Sequence, residues 1–398
     1  MRSRPWSGQN CEAVSLADAL AHLSEARLQE LQCAIAAVPA PPFAEGERAA
    51  FVAELWRGAG LPVEADGEGN LLAPRPGARE PWLVVSAHLD TVFPPGTDPG
   101  VASAGELCPH CGEPVPPGEL HGPGIADCAA GLAALTAVAE ALQASGTETA
   151  AHLLFLATVG EEGAGNLRGV RSFMASEWAE RAGAFVTVDV GRPATLVTDF
   201  VAVWRGEVIV TGPGGHAWDQ YGMPNPILVL GEALLAVEEA WPPSGAPRSA
   251  WNVGLIEGGT SVNAIPEQVR CAVEFRSLDA RLAQEGPEQL RTAVEARAAA
   301  RGLRSQVIVR GERPAARTAR DHPLVLAAID ALAAEGLRIA YGTGSLDANV
   351  PAAAGVPSIG FPWGGQALAT HSTRERHRIE GRLAHVRALL RLLATFRP

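Results

Sequence analysis

Three short apolar runs, 83–87, 152–159 and 184–190, alternate with stretches whose apolar residues recur at helical spacing. This alternation constrains the fold more than any other feature, because strand, helix, strand, helix in succession builds a sheet covered by helices. The helical stretches are 15–38, 46–58, 131–145 and 168–180, the most regular being "GLAALTAVAEALQAS" at 131–145. Each apolar run gives way to a glycine-rich turn, and a side chain able to bind a cation stands there. His88 follows the first run, Glu162 the second (in "TVGEEG"), and Asp189 closes the third. Two more such residues occupy glycine-rich turns. Asp127 lies in "HGPGIADCAAG", and His371 lies in "GGQALATHSTRER" ahead of a final helix at 380–395.

The pattern changes after about residue 195. An alternating strand (201–212), a helix (225–241), strands at 249–259 and 267–278, a helix (286–302) and a strand (304–312) follow. This βαββαβ order is the size of a small inserted domain. The chain then returns to α/β character with a helix at 323–335. A length of 398 residues fits about two domains. The expected division is one discontinuous domain, 1–195 with 316–398, around an insert at 196–315.

Two histidines and three carboxylates, one of them shared, are what two zinc-class ions need. His88 and Asp90 are two apart on a strand, so both face one side, and a carboxylate can hold the second N–H of a metal-ligating imidazole. A surface His near a surface Asp is the other reading of that pair. Asp127, just before a helix, suits an N-cap as well as a bridging ligand. Glu161 and Glu162 are adjacent, and two like charges in one place call for nearby cations. If Glu162 binds metal, Glu161 is left to take a proton from water, the minimum equipment for hydrolysis.

"AHLDTV", "GPGIAD", "TVGEEG", "GPGGHAW", "GGTSVNAIP" and "SLDAN" with a late histidine resemble, in order and spacing, the co-catalytic di-zinc exopeptidase family that includes glutamate carboxypeptidase, peptidase T, aminoacylase and succinyl-diaminopimelate desuccinylase. The resemblance runs from about residue 40 to the C-terminus. It implies an α/β fold: a discontinuous zinc-binding catalytic domain, its mixed sheet covered by helices, with an inserted βαββαβ lid and dimerisation domain. Carried over by position, His88 and Asp189 complete one zinc site, Glu162 and His371 the other, and Asp127 bridges them. Glu161 becomes the general base, Asp90 orients His88, and His216 stabilises the oxyanion. Asn263 and Arg276 contact substrate, although Asn263 also suits a turn before Pro266 and Arg276 an ion pair with Glu274. The implied reaction is attack on an amide carbonyl by a zinc-activated bridging water, with Mn²⁺ or Co²⁺ as alternative ions. Asp at position 189 and the "TVGEEGAGNLRG" run resemble peptidase T-like members, hence a di- or tripeptide aminopeptidase. A carboxypeptidase or N-acyl-amino-acid amidohydrolase is the second reading. Cys128-Ala129, where many members carry an acid or Asn and then Lys, leaves room for an inactive metal-bound binding protein. A homodimer is implied by the family alone.

Composition narrows the partners. A net charge of −12 argues against a nucleic-acid groove. There is no apolar stretch of membrane-spanning length. Met1–Ser15 has Arg2 and Arg4 but no apolar leader region, so the expected location is cytoplasmic and the cysteines (Cys11, Cys33, Cys108, Cys111, Cys128, Cys271) are expected reduced. Within "ELCPHCGEPVPPGELHG", Cys108 and Cys111 with His110 or His121 fit either a small extra zinc knuckle or a loop with two free thiols.

Overall fold

The computed structural model describes residues 16–398; Met1–Ser15, with Cys11 and the expectation of no leader, lie outside the described residues. Four parallel strands form the middle of the large sheet: His152–Thr158, Trp82–His88, Ala182–Val190 and Ser358–Pro362, in that spatial order. Leu71–Arg75 adds antiparallel on one side, and Thr195–Phe200 with Ala340–Gly344 extends the other. The strand Trp82–His88 is buried along its whole length. A parallel strand with helices on both faces is apolar at nearly every position, which is why it reads as an almost continuous run; the exception within it, Ser86, hydrogen-bonds Thr187 at 3.0 Å. Leu83, Val85 and Ala87 pack on one face with the helices Glu25–Ala36, Ala129–Ser145 and Arg382–Thr395, while Trp82 and Val84 pack on the other with Phe173 of Arg168–Met174. The expected fold class, a mixed sheet covered by helices with an added βαββαβ unit, is the one the chain adopts.

That second unit is a four-stranded antiparallel sheet in the order Ser249–Gly258, Gln268–Ser277, Ala202–Thr211, Arg304–Arg313. Helices Pro226–Ala240 and Ala280–Ala300 cover one face around Trp241, Phe275 and Leu290.

Three helix expectations need correction, each for a capping reason. The 15–38 stretch is two helices, Leu16–Ala21 and Glu25–Ala36, because the Ser24 hydroxyl accepts from Arg27 N at 3.2 Å and starts the second. The 168–180 stretch divides likewise at Ser176, whose hydroxyl accepts from Trp178 N. The helix expected from 286 starts instead at Ala280, where the Asp279 carboxylate accepts from Arg281 N, and it runs through Pro287. Among the described residues, no helix is long and apolar enough to cross a membrane.

Candidate metal centre

The five expected ligands converge at the carboxyl ends of the parallel strands, where open α/β sheets place their ligands. His88 ends its strand, and Asp189 lies one residue before the end of the next. Asp127 precedes the helix Ala129–Ser145. Gly131 lets that helix approach the sheet closely, since a Cβ there would fall 2.2 Å from Val188 O. Cys128, not Asp127, occupies the N-cap position, so the Asp127 carboxylate is left for the site. Gly160, at φ +62°, turns the chain after His152–Thr158 and delivers Glu161 and Glu162.

The distances divide the cluster into two groups joined by Asp127. His88 Nε2 lies 3.0 Å from Asp127 Oδ1 and 3.7 Å from Asp189 Oδ1. His371 Nε2 lies 3.2 Å from Asp127 Oδ2 and 2.9 Å from Glu162 Oε1. Each histidine therefore faces a different oxygen of one carboxylate. Ligands about 2.0–2.2 Å from a tetrahedral zinc stand roughly 3.3–3.6 Å apart. The observed separations bracket that edge, so the donor set fits two zinc-class ions in the expected arrangement.

Electrostatics points the same way. Burial pushes the Asp189 carboxyl up to about 7, against the opposing effect of His88. Burial also raises Glu161 well above the usual range; Arg313 opposes this and Glu162 adds to it. Asp127 goes the other way: burial alone would raise it, but hydrogen bonds from His371 and His88 hold it below the usual carboxylate range. The same contacts with Asp127 and Glu162 push His371 up to about 10. Four carboxylates crowded into a poorly hydrated site create a demand for cations that two imidazoles and one arginine do not meet.

Asp90 makes contacts on two sides. His88 Nδ1 is fixed by the main-chain carbonyl of Asp90 at 3.0 Å, with the carboxylate 3.6 Å away. The carboxylate also accepts from Glu161 N at 2.9 Å and Glu162 N at 2.8 Å, holding the turn that carries both glutamates. Glu161 is buried and paired with Arg313, whose Nη1 is 2.8 Å from Glu161 Oε1 and whose Nη2 donates to Glu161 O.

His216, Asn263 and Arg276 all lie in the insert and make no hydrogen bond or ion pair with the cluster among the described residues. His216 is exposed on a two-stranded ribbon formed by Gly215–His216 and Ala264–Ile265, with Asp219 Oδ2 3.3 Å from its Nδ1. Asn263 sits beside it, its main-chain oxygen accepting from Ala217 N. Arg276 pairs with Glu274 at 2.6 Å.

Sequence reasoning missed three buried participants. Glu375 accepts from Ala126 N and Asp127 N, both at 2.9 Å, and from His371 N at 3.3 Å, so it ties together two ligand-bearing turns. Its position four residues after His371 was the available signal. Asp347, in "SLDAN", accepts from the Thr158 hydroxyl beneath the site. Arg313 had no local signal, because it arrives with the last strand of the insert.

The chain was compared with known proteins. Residues 84–395 match the profile of "Peptidase family M20/M25/M40". A succinyl-diaminopimelate desuccinylase of Methylobacterium nodulans is 29% identical over 385 residues, 89% of this chain and 90% of that one. An uncharacterised Bacillus subtilis protein is 25% identical over 80% of this chain and 82% of its own. Among solved structures, aminopeptidase PepT from Bacillus cereus superposes with TM-score 0.74 at 21% identity, covering 94% of this chain and 99% of that one. A tripeptidase from Staphylococcus aureus gives TM-score 0.77 at 20% identity, covering 94% and 98%. A match running through both arms of the catalytic sheet and the insert between them fixes the kinship: the chain belongs to peptidase family M20/M25/M40 and is a metal-dependent hydrolase.

Proposed function

We propose that the chain is a two-zinc exopeptidase that removes the N-terminal residue of di- or tripeptides. The observation that carries this reading is Asp127, shared oxygen by oxygen between His88 and His371, with Glu161 left beside the pair. His88, Asp189 and one Asp127 oxygen would hold the first ion; His371, Glu162 and the other oxygen would hold the second. Bound there, the ions supply Lewis acidity toward the substrate carbonyl and lower the pKa of water toward neutrality. Glu161 takes the proton of the attacking water and passes it to the leaving amine. Arg313 keeps the Glu161 carboxylate in one orientation, and Asp90 keeps its backbone in place. His216, with Asn263 next to it, is assigned to the developing oxyanion.

The free-amine substrate class is supported by the likeness to PepT and to the tripeptidase, and by Asp189 as the terminal ligand of the first site. A cavity of 690 Å³ lies against the insert's sheet, lined by Arg205, Asn252, Arg270 and Glu274, and reaches the large sheet's side at Gly163 and Ala164, next to Glu162. The edge strand Ser249–Gly258 exposes Leu255 and Ile256, which suits pairing of two inserts in a homodimer.

The desuccinylase relative favours a second reading, hydrolysis of an N-acyl amino acid. Arg276 would then have to leave Glu274 to grip a substrate carboxylate.

The test is turnover by the zinc-reconstituted protein of free-amine di- and tripeptides against N-succinyl and N-acetyl amino acids, with Glu161→Gln alongside. The expected result is peptide cleavage that falls roughly 10²–10⁴-fold in the variant while its metal content stays unchanged. Turnover of acylated substrates alone overturns the aminopeptidase reading in favour of the second. No turnover of either class overturns both and leaves a metal-bound binding protein.

A further inference from the structure

The stretch 89–118 runs between the strands Trp82–His88 and Glu119–His121 with no helix and no strand, only two isolated bridges, Ala102 to His121 and Leu107 to Pro114. Its own core is Ala102, Cys108 and Val115, with Cys111 packed against them. Long connections without secondary structure are uncommon in compact domains, and small cores need a covalent or metal staple. Within this loop the chain doubles back tightly. Cys108 N donates to Glu113 O at 2.9 Å, Gly112 N donates to Cys108 O at 2.8 Å, and Gly112 takes φ +72°, a conformation suited to glycine. The turn places both thiols on one side, and a nitrogen of His121 comes within 4.8 Å of each sulfur. His110 points elsewhere, its Nε2 3.0 Å from Gly100 O.

We propose that Cys108, Cys111 and His121 bind a third zinc-class ion, separate from the catalytic pair, with the fourth position open to a solvent ligand. Two thiolates at C-x₂-C spacing and one imidazole are a soft donor set that selects zinc over the hard cations. Glu119 Oε2, 3.1 Å from His121 Nε2, is the carboxylate partner that metal-ligating imidazoles use to fix their orientation. The ion staples the loop to the Glu119–His121 strand. The next residue, Gly122, donates to Glu375 O at 3.0 Å, and the carboxylate of Glu375 holds the Asp127 and His371 turns. The staple therefore anchors the ribbon on which two catalytic ligands rest. The site itself stands on its own residues and does not depend on the substrate assignment.

The test is metal content per chain by mass spectrometry for the full-length protein and for Cys108→Ser/Cys111→Ser, together with Co²⁺ substitution. The wild type is expected to hold one ion more than the variant. Its Co²⁺ form is expected to show a thiolate-to-cobalt charge-transfer band that the variant lacks. If the variant does not fold, the wild type decides. Cys108 and Cys111, mapped by mass spectrometry after thiol labelling, should be protected until a chelator is added. Equal metal content, no cobalt–thiolate band, free labelling without chelator, or a Cys108–Cys111 disulfide in protein purified under reducing conditions each overturns the site. Loss of peptidase activity with this third ion still bound would instead count against the catalytic reading alone.

Discussion

Replacing Arg313 with methionine tests whether an arginine delivered by the insert holds Glu161, the proposed general base, in its working state. The guanidinium meets Glu161 Oε1 at 2.8 Å, Glu161 O, Ser345 O at 3.2 Å and the Ser345 hydroxyl at 3.4 Å. Both side chains are nearly sealed from solvent, at 5% and 6% exposure. Removing one partner of a buried pair strands the other at a cost of about 3–5 kcal/mol. Glu161 has one escape: it can take up a proton, the direction in which burial already drives it, with Glu162 adding to the push. A protonated Glu161 does not accept a proton from water. If the cost falls on the active form, 3–5 kcal/mol corresponds to about two to four decades in rate. The assay is kcat and KM of the zinc-loaded Arg313→Met protein on a free-amine tripeptide, with metal content and a urea melt measured in parallel. The expected result is kcat down about a hundredfold or more, KM within a few-fold, the ions retained, and partial recovery in Arg313→Lys, which keeps the charge but not the fork. A methionine variant within threefold of wild-type kcat at full metal occupancy refutes the argument.

Three further outcomes are expected. Glu375→Ala removes the acceptor shared by Ala126, Asp127 and His371 N–H groups, so affinity for the catalytic ions should fall roughly 10–100-fold in a chelator competition, and an unchanged affinity would count against its anchoring role. His377 is buried neutral, its pKa lowered from 6.5 to about 3 chiefly by desolvation, so the folded state refuses a proton that the unfolded state accepts. Stability is therefore full above about pH 6.5 and is lost as pH falls toward 3, by up to about 1.4 kcal/mol per unit from this group; urea melts should show a shallower pH slope in His377→Gln, and parallel slopes would exclude the assignment. Gly131→Ala would drive a methyl against Val188 O and within 2.5 Å of Cys128 Sγ, so its urea midpoint should drop by the equivalent of about 1–3 kcal/mol or more, and an unmoved midpoint would mean the helix has room to retreat.

The sequence by itself determined the strand and helix alternation, the βαββαβ insert and the candidate ligands at the turn positions, because these are local properties. A strand buried on both faces is apolar at nearly every position, and a turn that brings backbone close to a site needs glycine, so both leave marks within a few residues. Short strands left weaker marks. Leu71–Arg75 contains Pro74, Ser358–Pro362 ends in proline, and Thr195–Phe200 lies where one pattern gives way to the other, so none was read as a strand. Only the tertiary structure decided what each carboxylate does. The Asp90 carboxylate holds the Glu161–Glu162 backbone while lying 3.6 Å from His88 Nδ1, and Glu375 spans from the His371 turn to the Asp127 turn. Arg313 reaches Glu161 across 152 positions of chain, and His121 rather than His110 turns toward the two thiols. Residue type and spacing report what a segment can do on its own. Which charged groups face one another once water is excluded depends on contacts between distant segments, and no local pattern encodes those.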